Sequence, residues 1–393
     1  VSEGWRPETL AAQALGRVDP RTGAVVPGIE PATTFLRDPD GGYRGGRAYA
    51  RADNPTYEPV EALLTALEGG AASLLFASGM AAATAVFQAL DPGDHVVVPQ
   101  VLYWGLRSWL LGPATRWGLA VETIDTTDLA QLAAAVLPGR TRLVWLETPA
   151  NPTWAVSDIA AAAEIAHRAG ARLAVDSTVA TPVLTRPLEL GADLVMHAAT
   201  KYLNGHSDLL AGTLTTRHED GLWQRLQELR VAQGGVLGSF EAWLLLRGMR
   251  TLFPRVRQSS AGAQAIAEAL VGHPAVVEVL YPGLPSFAGH ALAARQMRGG
   301  FGGMLSIRAR GGAQAAIATA ARVRLWKRAT SLGGVESLIE HRASIEGPGS
   351  PVPDDLLRLS VGLEDPRDLL DDLREALAGG RAAAGAQVPQ KVR

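Results

Sequence analysis

Between residues 57 and 252, short apolar runs alternate with stretches in which apolar side chains recur every three or four positions. The runs at 73–76, 95–98, 143–146, 172–175 and 194–196 have the length and continuity of buried strands. Residues 60–67 and 157–169 carry helical spacing, with Ser157 the predicted cap of the second helix. Such alternation predicts a layered α/β domain built on a parallel sheet. Residues 224–252 predict one continuous helix, followed through Phe253-Pro254 by a long helix ending near Val271 that bridges to a smaller C-terminal domain. There, 276–280, 303–307 and 356–361 predict strands of a second sheet. Residues 1–56 are Pro/Gly-rich with little periodicity, and the Ala/Gly-rich tail from Gly379 predicts disorder.

Composition narrows the classes of function. Lys and Arg total 37 against 39 Asp and Glu, and no basic run marks a nucleic-acid or anionic-membrane partner. With no cysteine in 393 residues, disulfides, thiolate metal sites and cysteine nucleophiles are excluded. No apolar segment is long enough to span a bilayer, and the first six residues lack signal-peptide order. A cytoplasmic location is the expectation.

Two strand ends carry candidate chemistry. Leu194-Val195-Met196 runs through small residues to Thr200 and Lys201, where a bulky planar ligand could approach the backbone. A lysine partly withdrawn from water there keeps some amine neutral and nucleophilic, as an imine-forming lysine requires. The neighbouring run 172–175 ends on Asp176, and ligands in open α/β sheets lie beyond such carboxyl ends. A carboxylate for a pyridine nitrogen and a lysine for an aldehyde are what pyridoxal phosphate asks of a protein. Read alone, Asp176 is equally a helix cap. His197 and His206 flank the lysine with no partners at ligand spacing and read as structural.

Together, Val175-Asp176-Ser177-Thr178, Thr181-Pro182 and His197-Ala-Ala-Thr-Lys-Tyr-Leu-Asn-Gly-His-Ser-Asp208 resemble the Cys/Met-metabolism family of pyridoxal 5'-phosphate (PLP) enzymes. That family includes cystathionine γ-synthase, the cystathionine lyases and methionine γ-lyase. The likeness runs from about Leu15 to Leu377. It implies an aminotransferase-like fold of type I, with a mostly parallel seven-stranded sheet in a large domain and a smaller α/β domain. The implied division is an arm at 1–56, a cofactor domain at 57–252, a C-terminal domain at 253–378 and a flexible tail at 379–393.

The resemblance also assigns roles. Lys201, Asp176 and Tyr103 are the implied catalytic residues, with Lys201 as general base at Cα and Tyr103 stacked on the ring and assisting. Gly79, Met80, Asn151, Thr178 and Thr200 join them in holding the cofactor. Tyr49 and Arg51 of the arm reach the phosphate of a neighbouring subunit, so the active sites of a homodimer, or of a tetramer of two dimers, are shared. Arg358 takes the carboxylate of a small amino-acid substrate, with Ser331, Thr330 and Asn151 beside it. No metal is implied.

This chain departs from the family pattern at several points. Ala198 replaces a serine that bonds phosphate, leaving more of that task to Thr200, while Trp104 and Leu106 alter the wall beside Tyr103. Thr330 stands where members handling cystathionine often have Glu, which predicts weaker recognition of that substrate. Glu340-His341-Arg342-Ala343-Ser344-Ile345-Glu346 departs from the commoner His-Pro-Ala-x-Met-Thr-His ending. The leading expectation is a lyase eliminating a group from Cγ or Cβ of a sulfur amino acid or homoserine derivative. A γ-replacement synthase using an O-acylhomoserine comes second, and a PLP-binding protein without turnover third.

Overall fold

The computed structural model of the protein describes residues 4–347 and 349–379. The larger sheet contains β1 (Ala72–Phe76), β2 (His95–Pro99), β3 (Ala120–Ile124), β4 (Thr141–Glu147), β5 (Arg172–Asp176), β6 (Leu194–His197) and β7 (Gly212–Thr216). Their order is β1-β7-β6-β5-β4-β2-β3; β7 is antiparallel to both neighbours and every other pairing is parallel. Successive strand side chains point to opposite faces. Val96, Val98, Leu143 and Trp145 pack with Phe87 and Trp223 on one side, and Val97, Val144 and Leu146 with Ile159 and Ala162 on the other. With helices on both faces, a strand has no polar side to show, which is why its sequence reads as an unbroken apolar run.

The sequence reading missed two of these strands. β3 lies at the sheet edge and exposes Glu122, so its apolar signal is diluted. In β7, Gly-Thr-Leu-Thr-Thr, the buried polar side chain Thr215 pairs with Ser73 hydroxyl to hydroxyl at 2.8 Å. The helix predicted at 224–252 is in fact two, Gly221–Gln233 and Ser239–Met249, broken at Gly234, whose φ of +71° ends the first. Nor does Ser157 cap the next helix of the large domain. Asp158 does so for Ile159–Arg168, accepting the Ala161 N–H at 3.0 Å, while the Ser157 hydroxyl turns inward to Thr126.

The helix Leu252–Leu270 bridges two cores, as expected. Leu252, Phe253 and Val256 belong to the core containing Tyr202, while Ala263, Ile266 and Leu270 belong to the core of the second sheet. That sheet comprises β8 (Val276–Leu280), β9 (Met304–Ala309), β10 (Lys327–Arg328), β11 (Leu338–His341) and β12 (Leu356–Ser360), in the order β10-β11-β12-β9-β8. Neither β10 nor β11 was anticipated. β11 sets Glu340 directly opposite Arg358 of β12, where cross-strand neighbours share a face.

The N-terminal arm contains one helix, Pro7–Gln13, and a following turn, whose Ala11 and Ala14 join the main core. Gly379 closes the final helix Pro366–Gly379; the rest of the predicted tail lies outside the described residues. No helix among the described residues is long and apolar enough to cross a membrane.

Candidate active site

Five strands sharing one direction bring their carboxyl ends to a cavity of about 300 Å³. β1 leads through Ser78 into the helix Gly79–Gln88, β2 leads to Tyr103, β4 ends on Glu147, β5 on Asp176, and β6 feeds the turn bearing Lys201. The second sheet closes the cavity with Ser331, Arg342 and Arg358. Of the residues singled out from sequence, Gly79, Met80, Tyr103, Asn151, Asp176, Thr178, Thr200, Lys201, Thr330, Ser331 and Arg358 all line it.

Lys201 Nζ donates a 2.8 Å hydrogen bond to Ser331 Oγ. Burial pulls its pKa down to about 8, Arg358 and Arg342 push the same way, and Glu340 opposes them. A minor but appreciable fraction of the amine is therefore neutral near physiological pH. Burial raises the pKa of Asp176, while the hydroxyl and the N–H of Thr178, both donating to its Oδ1, oppose that. The Arg358 guanidinium is fully buried: Nη1 donates to Asn151 Oδ1 at 3.2 Å, and Nη2 to Ser331 O at 2.8 Å and Glu340 Oε2 at 2.6 Å. Burial lowers its pKa to about 10, and it stays charged at neutral pH.

Two residues without a role in the sequence reading belong to this site. Glu147 lies beside Asp176 in the register of β4 and β5. Burial, and then the Asp176 charge, push its pKa up to about 8. It accepts the Tyr103 N–H on Oε2 at 2.7 Å and the Asn151 N–H on Oε1 at 3.0 Å, fixing both segments. Its place at a strand end beside the acid of the next strand was the available signal. Arg342 is the other, signalled by an arginine where the family ending carries proline.

The residues present fit pyridoxal phosphate. Ser78 Oγ caps the Ala81 N–H at 3.1 Å, leaving the Gly79 and Met80 amides at the helix start for an anion. A Cβ at Gly79 would stand 2.7 Å from the Ala198 methyl, so only glycine lets this turn sit so close. Tyr103 leaves its ring about half exposed at the cavity wall, Asp176 offers a carboxylate, and Lys201 an amine.

Some expectations fare differently. The Thr200 hydroxyl already exchanges hydrogen bonds with the backbone of Ala211, at 3.2 Å to the carbonyl and 3.0 Å from the N–H. Its proton is thus engaged, which limits it as a substitute for the hydroxyl missing at Ala198. Thr330 spends its proton on Glu340. Tyr49 and Arg51 do not line this chain's own cavity; Arg51 Nη1 donates to Val231 O at 2.9 Å and sits 5.7 Å from the Tyr49 ring centre. His197 is buried against Glu68 at 2.6 Å, and His206 Nδ1 donates to Asn204 O. Among the described residues no cluster suits a metal ion.

An amine beyond one parallel strand, an acid at the end of the next and a helix start open to an anion define a PLP-dependent α/β enzyme. The chain belongs to the Cys/Met metabolism PLP-dependent enzyme family, whose model matches residues 8–378. It is 49% identical over 377 residues to cystathionine gamma-synthase of Mycobacterium tuberculosis, covering 94% of this chain and 96% of that one. It is 42% identical to L-methionine gamma-lyase of Pseudomonas deceptionensis, covering 90% and 93%. The solved cystathionine gamma synthase from Xanthomonas oryzae pv. oryzae, in complex with aminoacrylate and cysteine, matches with a TM-score of 0.91 and 40% identity over 96% of this chain and 99% of that one. The type I fold, the PLP dependence and the trans-sulfuration enzyme class follow, and the reading of a cofactor binder without turnover falls away.

Proposed function

We propose that the protein replaces the γ substituent of an O-acylated homoserine with a thiol, cysteine giving cystathionine. The observation that carries this choice over elimination is the gradient of identity, 49% to a synthase against 42% to a lyase. It reverses the order of the two leading readings of the sequence. Elimination keeps one observation in its favour. Apart from Glu147 and Asp176, no carboxylate among the described residues lines the cavity to receive the distal ammonium of cystathionine.

Arg358, oriented by Asn151 and Glu340, holds the substrate carboxylate and fixes Cα–H toward Lys201. When bound, the cofactor supplies a sink for the electron pair released at Cα. Lys201, half neutral near pH 8 and held by Ser331, takes the Cα proton and then one from Cβ, whose electron pair expels the substituent on Cγ. Tyr103, at the cavity wall, would stack on the ring and assist that transfer. Asp176 would keep the ring nitrogen protonated, and Gly79, Met80 and Thr178 would seat the phosphate and ring, with Thr200 beside them. The Cγ–O bond breaks to release the acyl carboxylate, and the thiol sulfur bonds to Cγ as its proton leaves to solvent.

In this reading residues 1–56 form an arm to a neighbouring subunit, 57–252 the cofactor domain and 253–378 the C-terminal domain. Tyr49 and Arg51 serve the neighbour's phosphate in a cytoplasmic dimer or tetramer. Incubation with O-acetyl-L-homoserine tests the chemistry. Cystathionine should form when cysteine is added, and 2-oxobutanoate with ammonia only without it. Unchanged 2-oxobutanoate output and no cystathionine in excess cysteine would establish a lyase instead.

A further inference from the structure

The C-terminal wall of the cavity carries two guanidiniums, and the α-carboxylate of an amino acid needs only one. Arg342 opens the short helix Arg342–Glu346 directly after β11, and its side chain lines the cavity although it is only 4% exposed. Nη1 donates to Glu340 Oε2 at 2.8 Å, while Nε and Nη2 donate to Glu346 Oε1 at 3.2 and 2.8 Å. Glu340 Oε2 also receives Arg358, so a single carboxylate oxygen is shared by both arginines. Neither Glu340 nor Glu346 lines the cavity. The counter-charges thus lie off the cavity wall, which presents the Arg342 side chain together with that of Arg358. A guanidinium has five N–H donors. Among the described residues three of those on Arg342 are taken, one N–H on each of Nη1 and Nη2 being left. Burying a charge this deeply is costly. A proline or alkyl residue would close the helix start without that cost, so pinning a five-residue helix does not account for the arginine.

We infer that Arg342 forms a second anion subsite, which holds a carboxylate carried by the substituent on the substrate's Cγ while Arg358 holds the α-carboxylate. The substrate class is then an amino acid with a distal negative charge. That charge arrives either on a dicarboxylic acyl leaving group or on the incoming cysteine. Glu340 links the two subsites by orienting both guanidiniums. The inference rests on the γ-replacement reading for which group brings the charge, but not for the existence of the subsite.

The first test needs neither a variant nor turnover. Holoenzyme is titrated with L-2-aminoadipate and with L-norleucine, six-carbon amino acids ending in a carboxylate and a methyl, and binding is followed by cofactor absorbance. Binding of the aminoadipate should be about 10–100-fold tighter, as a charge-assisted pair predicts. Equal affinities overturn the subsite. The second test compares wild type with Arg342→Leu and Arg342→Lys. If the leaving group brings the charge, the ratio of kcat/KM for O-succinyl- over O-butyryl-L-homoserine falls about tenfold or more in Arg342→Leu and is partly kept in Arg342→Lys. If the nucleophile brings it, the same loss appears instead in the preference for cysteine over cysteamine. Both ratios unchanged overturn the assignment to Arg342. Cystathionine formed from O-butyrylhomoserine and cysteine by wild type reports on the γ-replacement reading separately.

Discussion

Lys201 Nζ lies 2.8 Å from the hydroxyl of Ser331, a residue 130 positions later that arrives with the second sheet. The bond couples the two halves of the site, since the same Ser331 offers its carbonyl to Arg358 at 2.8 Å. Ser331 also adopts φ +102°, a left-handed conformation costly for any side chain. Removing the hydroxyl with Ser331→Ala frees the amine and should lower kcat about 10–100-fold, the scale of a small misplacement. Ser331→Gly should lose the same activity yet melt above Ser331→Ala, because glycine relieves roughly 1 kcal/mol of strain. Steady-state kinetics paired with thermal melts check both halves.

Glu147 should govern stability between acid and neutral pH. Its pKa rises from 4.5, the ordinary value for a glutamate, to about 8 in the folded chain, so the native state binds more protons than the unfolded chain across that interval. The stability it contributes is complete below pH 4.5 and is lost as pH climbs through 8. Glu147→Gln cannot ionise, and in cofactor-free protein it should gain on wild type by a few kcal/mol between pH 5 and 8. Denaturant melts at several pH values give the slope; parallel curves for the two proteins would remove Glu147 from this role.

Asp176→Asn separates seating from electronics. The amide oxygen can still accept the Thr178 N–H, now at 3.0 Å, so the local turn survives. It cannot hold a positive ring nitrogen. Cofactor should remain bound, as read by absorbance after gel filtration, while kcat falls by ~100-fold or more. Full activity with a bound cofactor would mean that the acid has no electronic task.

Reading the chain alone picked out the residues that line the cavity better than the framework around them. Asp176 ends, and Lys201 and Tyr103 lie just beyond, strands whose apolar runs survive because helices bury both faces. β7 and β11 escaped for the opposite reason: buried polar side chains, Thr215 against Ser73 and Glu340 against Arg358, fill positions where the pattern demands apolar ones. Such pairing is a tertiary event between residues 142 and 18 positions apart, and no local window contains it. The break at Gly234 was visible as a glycine, but helical spacing on either side masked it. Glu147 and Arg342 show the limit most clearly. Their chemistry comes from what the fold withdraws from water, and a one-dimensional pattern does not record depth.

Whether the site is shared between subunits can be decided by complementation. Tyr49 and Arg51 lie outside the cavity of their own chain, so a contribution from them must reach another copy. Each site of such a dimer would combine Lys201 of one chain with Arg51 of its neighbour. An Arg51→Ala chain paired with a Lys201→Ala chain then rebuilds one intact site and places both defects in the other. Random assembly of the two variants makes half the dimers mixed, each with one working site, so about a quarter of wild-type activity should return. Neither variant alone should approach that level. If the arm served its own chain, mixing would restore nothing. Co-expression of differently tagged copies distinguishes the two arrangements, the doubly purified mixed dimer then holding about half of wild-type activity.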